Sequence, residues 1–278
     1  MRLRVALVQL SSSDDPAANL PRTEALIREA AASGAELIAT PEVTNIVSMS
    51  RPRQREMLRP EAEDPTLARL REVAAAPGVH LLIGSLALSG ESADGRFVNR
   101  SFLIGPDGAV IRRYDKIHMF DAAPRAGEAY RESAGYRPGE AAALAPTPWG
   151  GLGMTICYDL RFPELHLRLA RAGARMIAIP SAFTRPTGAA HWEPLLRARA
   201  IETGCFILAP AQCGVHAATE GPARETWGRS MIVSPWGEVM AVAGDDPCVL
   251  YADLDLDEVA TARARVPSLS GAQVFHGP

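Results

Sequence analysis

No apolar run in this chain approaches the roughly 18 residues needed to cross a bilayer, so the sequence offers no membrane-spanning helix. Residues 1–10 are too short and too strand-like for a secretory signal, and a cytoplasmic protein is expected. Cysteine is scarce. Cys157, Cys205, Cys213 and Cys248 form no CxxC pair and no zinc-ligand spacing. Reduced thiols fit that pattern best, and the six scattered histidines ask for no metal. Neither sign of charge dominates. A formal net charge of −3 without a sustained basic run argues against a nucleic-acid partner. The Arg-rich piece 51–55 reads as a solvated loop or helix start. Low-complexity linkers, charge blocks and internal repeats are also missing, and residues 1–278 read as one domain.

What is present is ordinary globular material: 278 residues, 47% hydrophobic and 22% charged, enough to bury one extensive core. Residues 2–10 pattern as a strand, 19–32 as a helix closing at Gly34, and 36–40 as a buried strand running into Pro41-Glu42. A helix over 65–76 has Asp64 as its N-cap and Pro77-Gly78 as its stop, with a strand over 80–85. Residues 99–104 and 109–114 form a hairpin across Gly105-Pro106-Asp107-Gly108, and Lys116 follows it. Residues 120–150, rich in Gly, Pro and Ala, read as an irregular functional loop.

An apolar strand over 152–156 then delivers Cys157, and Pro163 opens an amphipathic helix through Leu165, Leu169 and Ala172. Strands over 175–180, 205–211, 231–234, 238–243 and 248–254 follow, with helices over 192–203 and 258–265. Within 192–203, Leu195, Leu196 and Ile201 read as core. Hairpins among the crossovers disfavour a barrel or a pure doubly wound sheet. Two mixed sheets packed together with helices outside accommodate them.

Glu42, Lys116 and Cys157 each lie just past a strand end, where α/β sheets place their ligands. Each has a plain alternative: a helix cap, a solvated loop charge and a buried core thiol. A cysteine attacks as thiolate, and a nearby ammonium lowers its reference pKa of about 8.5. A Cys-His pair is the competing scheme, with His166 nearest in sequence.

Pro41-Glu42, Tyr114-Asp115-Lys116-Ile117-His118 and Cys157-Tyr158-Asp159-Leu160-Arg161-Phe162-Pro163-Glu164 resemble, in order, the Glu, Lys and Cys motifs of the nitrilase superfamily of carbon-nitrogen hydrolases. The resemblance covers essentially the whole chain. It implies an α/β fold, a four-layer αββα sandwich, assembled as a homodimer or higher homo-oligomer and needing no cofactor. It also implies a Glu42-Lys116-Cys157 triad that hydrolyses an amide through a thioester. Lys116 and the Tyr158 N–H would hold the oxyanion, and Glu132, similar to the family's second glutamate, would position the site.

Ser181-Ala182-Phe183-Thr184, Thr187-Gly188 and Ala190-His191-Trp192 resemble the Nit-type branch of deaminated glutathione amidases, where the ω-amidase branch opens with Asn-Phe. That branch implies hydrolysis of deaminated glutathione to 2-oxoglutarate and cysteinylglycine, with ammonia expected as the leaving group. An ω-amidase acting on 2-oxoglutaramate is the alternative, followed by a nitrile or N-carbamoyl hydrolase. Outside the class stand a non-catalytic dimeric scaffold and a thiol-redox protein. Arg161 is the expected carboxylate clamp, unless it pairs with Glu164. Phe183, Thr184 and Thr187 are expected to line the pocket. Residues 48–61 and the tail 268–278 depart from the branch.

Overall fold

Alternation of side chains along β1 (Arg2–Gln9) sets the layering. Leu3, Val5 and Leu7 join a core between two sheets, while Ala6 and Val8 face the other way, toward helices. The same division recurs on β2 (Leu37–Ala39) and β3 (His80–Leu88), whose Leu37, Ala39 and Leu82 point inward and Ile38, Leu81 and Ile83 outward. Helices α1 (Pro16–Ala32) and α3 (Pro65–Ala75) cover that outer face with Ile27, Ala30, Leu70 and Val73. Between β2 and α3 a short α2 (Arg51–Met57) is capped by Ser50. Strands β4 (Val98–Ile104) and β5 (Val110–Asp115) complete the first half as a hairpin. This computed structural model describes residues 1–90, 94–124, 127, 129–273 and 276–277. Parts of the segments 120–150 and 268–278 lie outside the described residues.

The second half begins with a two-residue pair, β6 (Asp121–Ala122) and β7 (Tyr130–Arg131). Then come β8 (Ala143–Thr147), β9 (Gly150–Met154), α4 (Pro163–Arg171), β10 (Ala174–Ala178), α5 (Arg185–Thr203) and β11 (Phe206–Ala209). A hairpin of β12 (Cys213–His216) and β13 (Arg224–Trp227) precedes β14 (Met231–Val233), β15 (Val239–Val242), β16 (Cys248–Asp255) and α6 (Asp257–Arg265).

One sheet runs β16-β1-β2-β3-β4-β5 and the other β15-β14-β11-β10-β9-β8. Each has a parallel centre, β1-β2-β3 and β9-β10-β11, flanked by antiparallel strands. Ala145, Leu152, Met154 and Met176 meet the first sheet's inner residues. On the outer side of the second sheet a Cβ on Gly153 would lie 3.1 Å from Leu169 of α4, so glycine lets that helix close on the sheet. The expected αββα sandwich is what forms.

Several boundaries differ from the sequence reading. Helix α1 starts three residues earlier than expected, because Asp15 caps it by accepting from Ala17 N and Pro16 opens its first turn. Helix α5 starts at Arg185, two turns before its apolar stripe. Ile201 is not core but 57% exposed: Leu196, Ala200 and Thr203 form the buried stripe, and Ile201 points off it. The 120–150 stretch is not wholly irregular, since β8 forms a sheet edge there. The Arg-rich piece folds as α2, and the β12–β13 hairpin carried no apolar pattern to announce it.

Candidate active site

Glu42, Cys157 and Ser181 lie where the two parallel centres end side by side. Gly84 of β3 makes that approach possible, because a Cβ there would lie 2.0 Å from Thr40 O, 2.6 Å from Pro41 O and 2.5 Å from Pro180 Cβ. The Pro180 carbonyl in turn accepts from Cys157 N at 2.9 Å. Two non-glycine residues here hold left-handed backbone, Val43 (φ 48°) directly after Glu42 and Cys157 itself (φ 52°). A β-branched residue pays for that conformation, and a hydrogen bond from Val43 N to Ser85 Oγ (2.8 Å) helps to fix it.

The carboxylate, ammonium and thiol are buried together. Lys116 Nζ donates to Glu42 Oε1 at 2.9 Å and to both oxygens of Glu132 at 2.9 Å. Only 2% of Lys116 is exposed, so the sequence-level alternative of a solvated loop charge fails. Asn99 Nδ2 donates to Glu42 Oε1 (3.0 Å) and Ala182 N to Glu42 Oε2 (2.9 Å). Glu132 also accepts from Phe120 N at 2.6 Å. The Cys157 thiol lies against the Glu42 carboxylate and the Ala182 N–H.

Electrostatics assign the resting protons. Burial pushes the Glu42 carboxyl upward, but the Lys116 ammonium and, less strongly, Arg224 hold it below the usual carboxylate value. Burial opposes the Lys116 charge, and Glu132 with Glu42 overcome that and raise it well above an ordinary lysine. Burial raises the Cys157 thiol, Glu42 raises it further, and Lys116 offsets only part. Burial and Glu42 thus outweigh the ammonium and favour the thiol form, contrary to the simple expectation. Two carboxylates have already claimed its charge.

A buried carboxylate ties the Lys and Cys motifs together. Asp159 accepts from Tyr114 Oη (2.6 Å), Ile156 N (2.8 Å) and His118 N (3.1 Å), and its Oδ1 is 2.7 Å from His118 Nδ1. His118 stacks on Phe162 with ring centroids 3.5 Å apart.

One cavity is lined by all nine residues singled out in the sequence: Glu42, Lys116, Glu132, Cys157, Tyr158, Arg161, Phe183, Thr184 and Thr187. Arg161 does not pair with Glu164; its Nη2 is 3.2 Å from His191 Nδ1, and its guanidinium lies over Phe183 (5.5 Å) and Tyr158 (6.0 Å). Thr184 and Thr187 hydroxyls bond each other at 2.8 Å. His166 does not reach the thiol: it is buried on α4, with Nδ1 3.0 Å from Phe162 O, and burial lowers its pKa to about 4.

Sequence reasoning missed Asn99, Arg51, Gln54, Tyr136 and Arg224, which also line the cavity. Asn99 and Arg224 stand on strands, Arg51 and Gln54 on α2, and Tyr136 at an isolated bridge to Phe97, all without a motif, so only the fold brings them in. Among the described residues, no group of three or more His, Cys, Asp or Glu is arranged to hold a metal ion.

A deaminated glutathione amidase from Yersinia enterocolitica is 40% identical over 266 residues, covering 95% of this chain and 91% of that one. An omega-amidase from Xenopus tropicalis is 36% identical over 274 residues, covering 96% and 93%. The crystal structure of the C. elegans NitFhit protein superposes with a TM-score of 0.90 at 34% identity, covering 98% of this chain, which spans 65% of that longer chain. The carbon-nitrogen hydrolase family model matches residues 4–264. Because that match runs from within β1 to the last turn of α6 and takes in both sheets, the chain belongs to the carbon-nitrogen hydrolase family.

Proposed function

We propose that this protein is a thiol-dependent amidase that hydrolyses the 2-oxoglutaryl amide of deaminated glutathione. The observation that carries the reading is the buried Glu42-Lys116 pair set against the Cys157 thiol. As Cys157 Sγ bonds to the substrate carbonyl carbon, its proton passes to Glu42 and the oxyanion is held by Lys116 and the Tyr158 N–H. Collapse breaks the C–N bond, and Glu42 returns that proton to the departing nitrogen. Glu42 then accepts a proton from water as its oxygen attacks the thioester; the C–S bond breaks, and the proton goes back to sulfur. Glu132 fixes the ammonium, and Arg161 with Thr184, Thr187 and Phe183 receives the acyl chain and its carboxylate.

Mass balance corrects one expectation. 2-Oxoglutarate and cysteinylglycine account for every atom of deaminated glutathione and water, so cysteinylglycine is the leaving group. Ammonia leaves only from 2-oxoglutaramate, the substrate of the alternative ω-amidase reading. Similarity to relatives of both names supports either substrate, and the higher identity favours the first.

A single domain is supported by the extent of the family match, and a cytoplasmic setting by four free cysteines. Among the described residues no helix is long and apolar enough to cross a membrane. Self-association is supported by exposed apolar side chains on and beside β15, namely Ile201, Trp236, Val239, Met240 and Val242.

The test is release of 2-oxoglutarate from both amides by the purified enzyme. Cys157→Ala is expected to lower kcat by about 10⁴-fold or more. Turnover surviving in that variant sinks the nucleophile, and equal kcat/KM for both amides sinks the choice of substrate.

A further inference from the structure

Residues 48–61 departed from the branch in sequence, and the structure turns them into a wall of the cavity. Helix α2 opens there with Arg51, whose side chain is held from three directions. Its Nη1 donates to Gln54 Oε1 at 2.7 Å. Its guanidinium lies 5.1 Å over the Tyr136 ring. It also rests on Gly135, where a Cβ would fall 2.1 Å from Arg51 Cζ. Gln54 is itself buried and anchored, donating to Ser48 O (3.0 Å) and Tyr136 Oη (3.3 Å).

The choice of acceptor matters. An amide oxygen orients a guanidinium without neutralising it, whereas a carboxylate would cancel the charge. Many arginines elsewhere in the chain are paired with acids, as in Arg53–Glu56, Arg69–Glu24 and Arg100–Asp115. Arg51 faces the cavity with no ion pair among the described residues. A guanidinium held in place beside the proposed reaction centre, with no ion pair among the described residues, offers a site for an anion.

Arg161 sits four residues after the thiol, on the second sheet's side of the cleft, packed on Phe183 and Tyr158. Arg51 lines the same cavity against Tyr136, which packs on Phe97 beside β4 of the first sheet. We infer that Arg51 is a second carboxylate subsite, on the leaving-group side, which binds the C-terminal carboxylate of a dipeptidyl amine while Arg161 takes the carboxylate of the acyl chain. The inference rests on the amidase reading above. It deepens that reading by making the leaving group, rather than the acyl group, the part that separates the two candidate substrates: ammonia has no carboxylate to offer.

The test compares three amides that share the 2-oxoglutaryl group: deaminated glutathione, its glycine methyl ester and 2-oxoglutaramate. For the wild type and Arg51→Ala, kcat and KM are measured, with binding of the first two to Cys157→Ala and Cys157→Ala/Arg51→Ala followed by calorimetry. A hydrogen-bonded charge pair predicts a 10- to 100-fold fall in kcat/KM for deaminated glutathione relative to 2-oxoglutaramate, carried by KM. The methyl ester should be bound weakly by both forms, with little difference between them. Gly135→Ala, which pushes the guanidinium off its seat, should reproduce the selective loss without touching Arg51, and circular dichroism checks that each variant is folded. Equal losses on acid and ester, or none on the acid, overturn the subsite while leaving the amidase intact. Failure of the wild type to hydrolyse either amide overturns the amidase reading and the subsite with it.

Discussion

The Lys116 ammonium carries two jobs that conflict when read from sequence and agree in the fold. It stabilises two buried carboxylates at rest, and in the proposed reaction it faces the oxyanion. Removing it leaves Glu42 buried beside Glu132 with no cation in contact. Lys116→Ala is therefore expected to destabilise the fold by about 3–5 kcal/mol, measured by urea unfolding. Lys116→Ala/Glu42→Gln should recover part of that stability and none of the activity. A single variant as stable as wild type would show that the ammonium neutralises neither carboxylate. Residue types after strand ends left Glu42, Lys116 and Cys157 each with a plain alternative, and the resemblance of their three motifs to one family is what joined them. Their protonation was not legible, since it depends on Glu132 and Asn99 arriving from other elements.

At the scale of elements, the site depends on two face-to-face sheets whose parallel strands end side by side. Gly84 is the contact point: its side of β3 touches Thr40 and Pro41, which precede Glu42, and Pro180, whose carbonyl accepts from Cys157 N. Gly84→Ala is expected to move Pro41 and Pro180 apart, lowering kcat at least tenfold and costing about 1–3 kcal/mol of stability. Full activity in that variant would show that the strand ends tolerate displacement. Elements with strong periodicity were legible, as with α3 behind Asp64 and Pro65. The hairpin β12–β13 was not, because its four-residue strands carry no apolar alternation and stand apart from the two large sheets. Nor was the early start of α5: its first two turns bury Gly188 alone, and Thr184 and Thr187 serve the cavity instead of a core. The segment that looked most anomalous, α2, was read as either a solvated loop or a helix start, and its place at the cavity was not legible. Its helix exists to shape a wall.

For the whole molecule, two buried histidines set the acid limit. His216 has both ring nitrogens engaged, 2.7 Å from Ser12 O and 2.7 Å from Thr226 Oγ1, and burial lowers its pKa to about 4. His166 is lowered to about 4 by the same cause. Unfolded histidine takes up its proton near 6.5, so between pH 6.5 and 4 the unfolded chain binds protons that the fold refuses. Stability is thus present above pH 6.5 and is lost as the pH falls toward 4, each histidine contributing on the order of 2 kcal/mol by pH 5. Asp64, pushed up to about 6 by burial, works in the opposite direction and offsets part of this. His216→Gln should make the pH dependence of Tm shallower across that window; an unchanged slope would remove His216 from the account.

The αββα architecture was legible because hairpins and crossovers had to coexist. The layering of each strand was legible because apolar residues alternate. What sequence could not supply was the depth at which the chemistry is buried, and that depth decides how the enzyme survives between turnovers. Oxidants and alkylating agents attack thiolates, and Cys157 is stored with its proton on, 7% exposed, beside a carboxylate that repels a second negative charge. The proposed nucleophile is in this sense kept under a safety catch: an empty site should react sluggishly with iodoacetamide, and the reactive sulfur should exist only during the moment when a carbonyl is there to receive it.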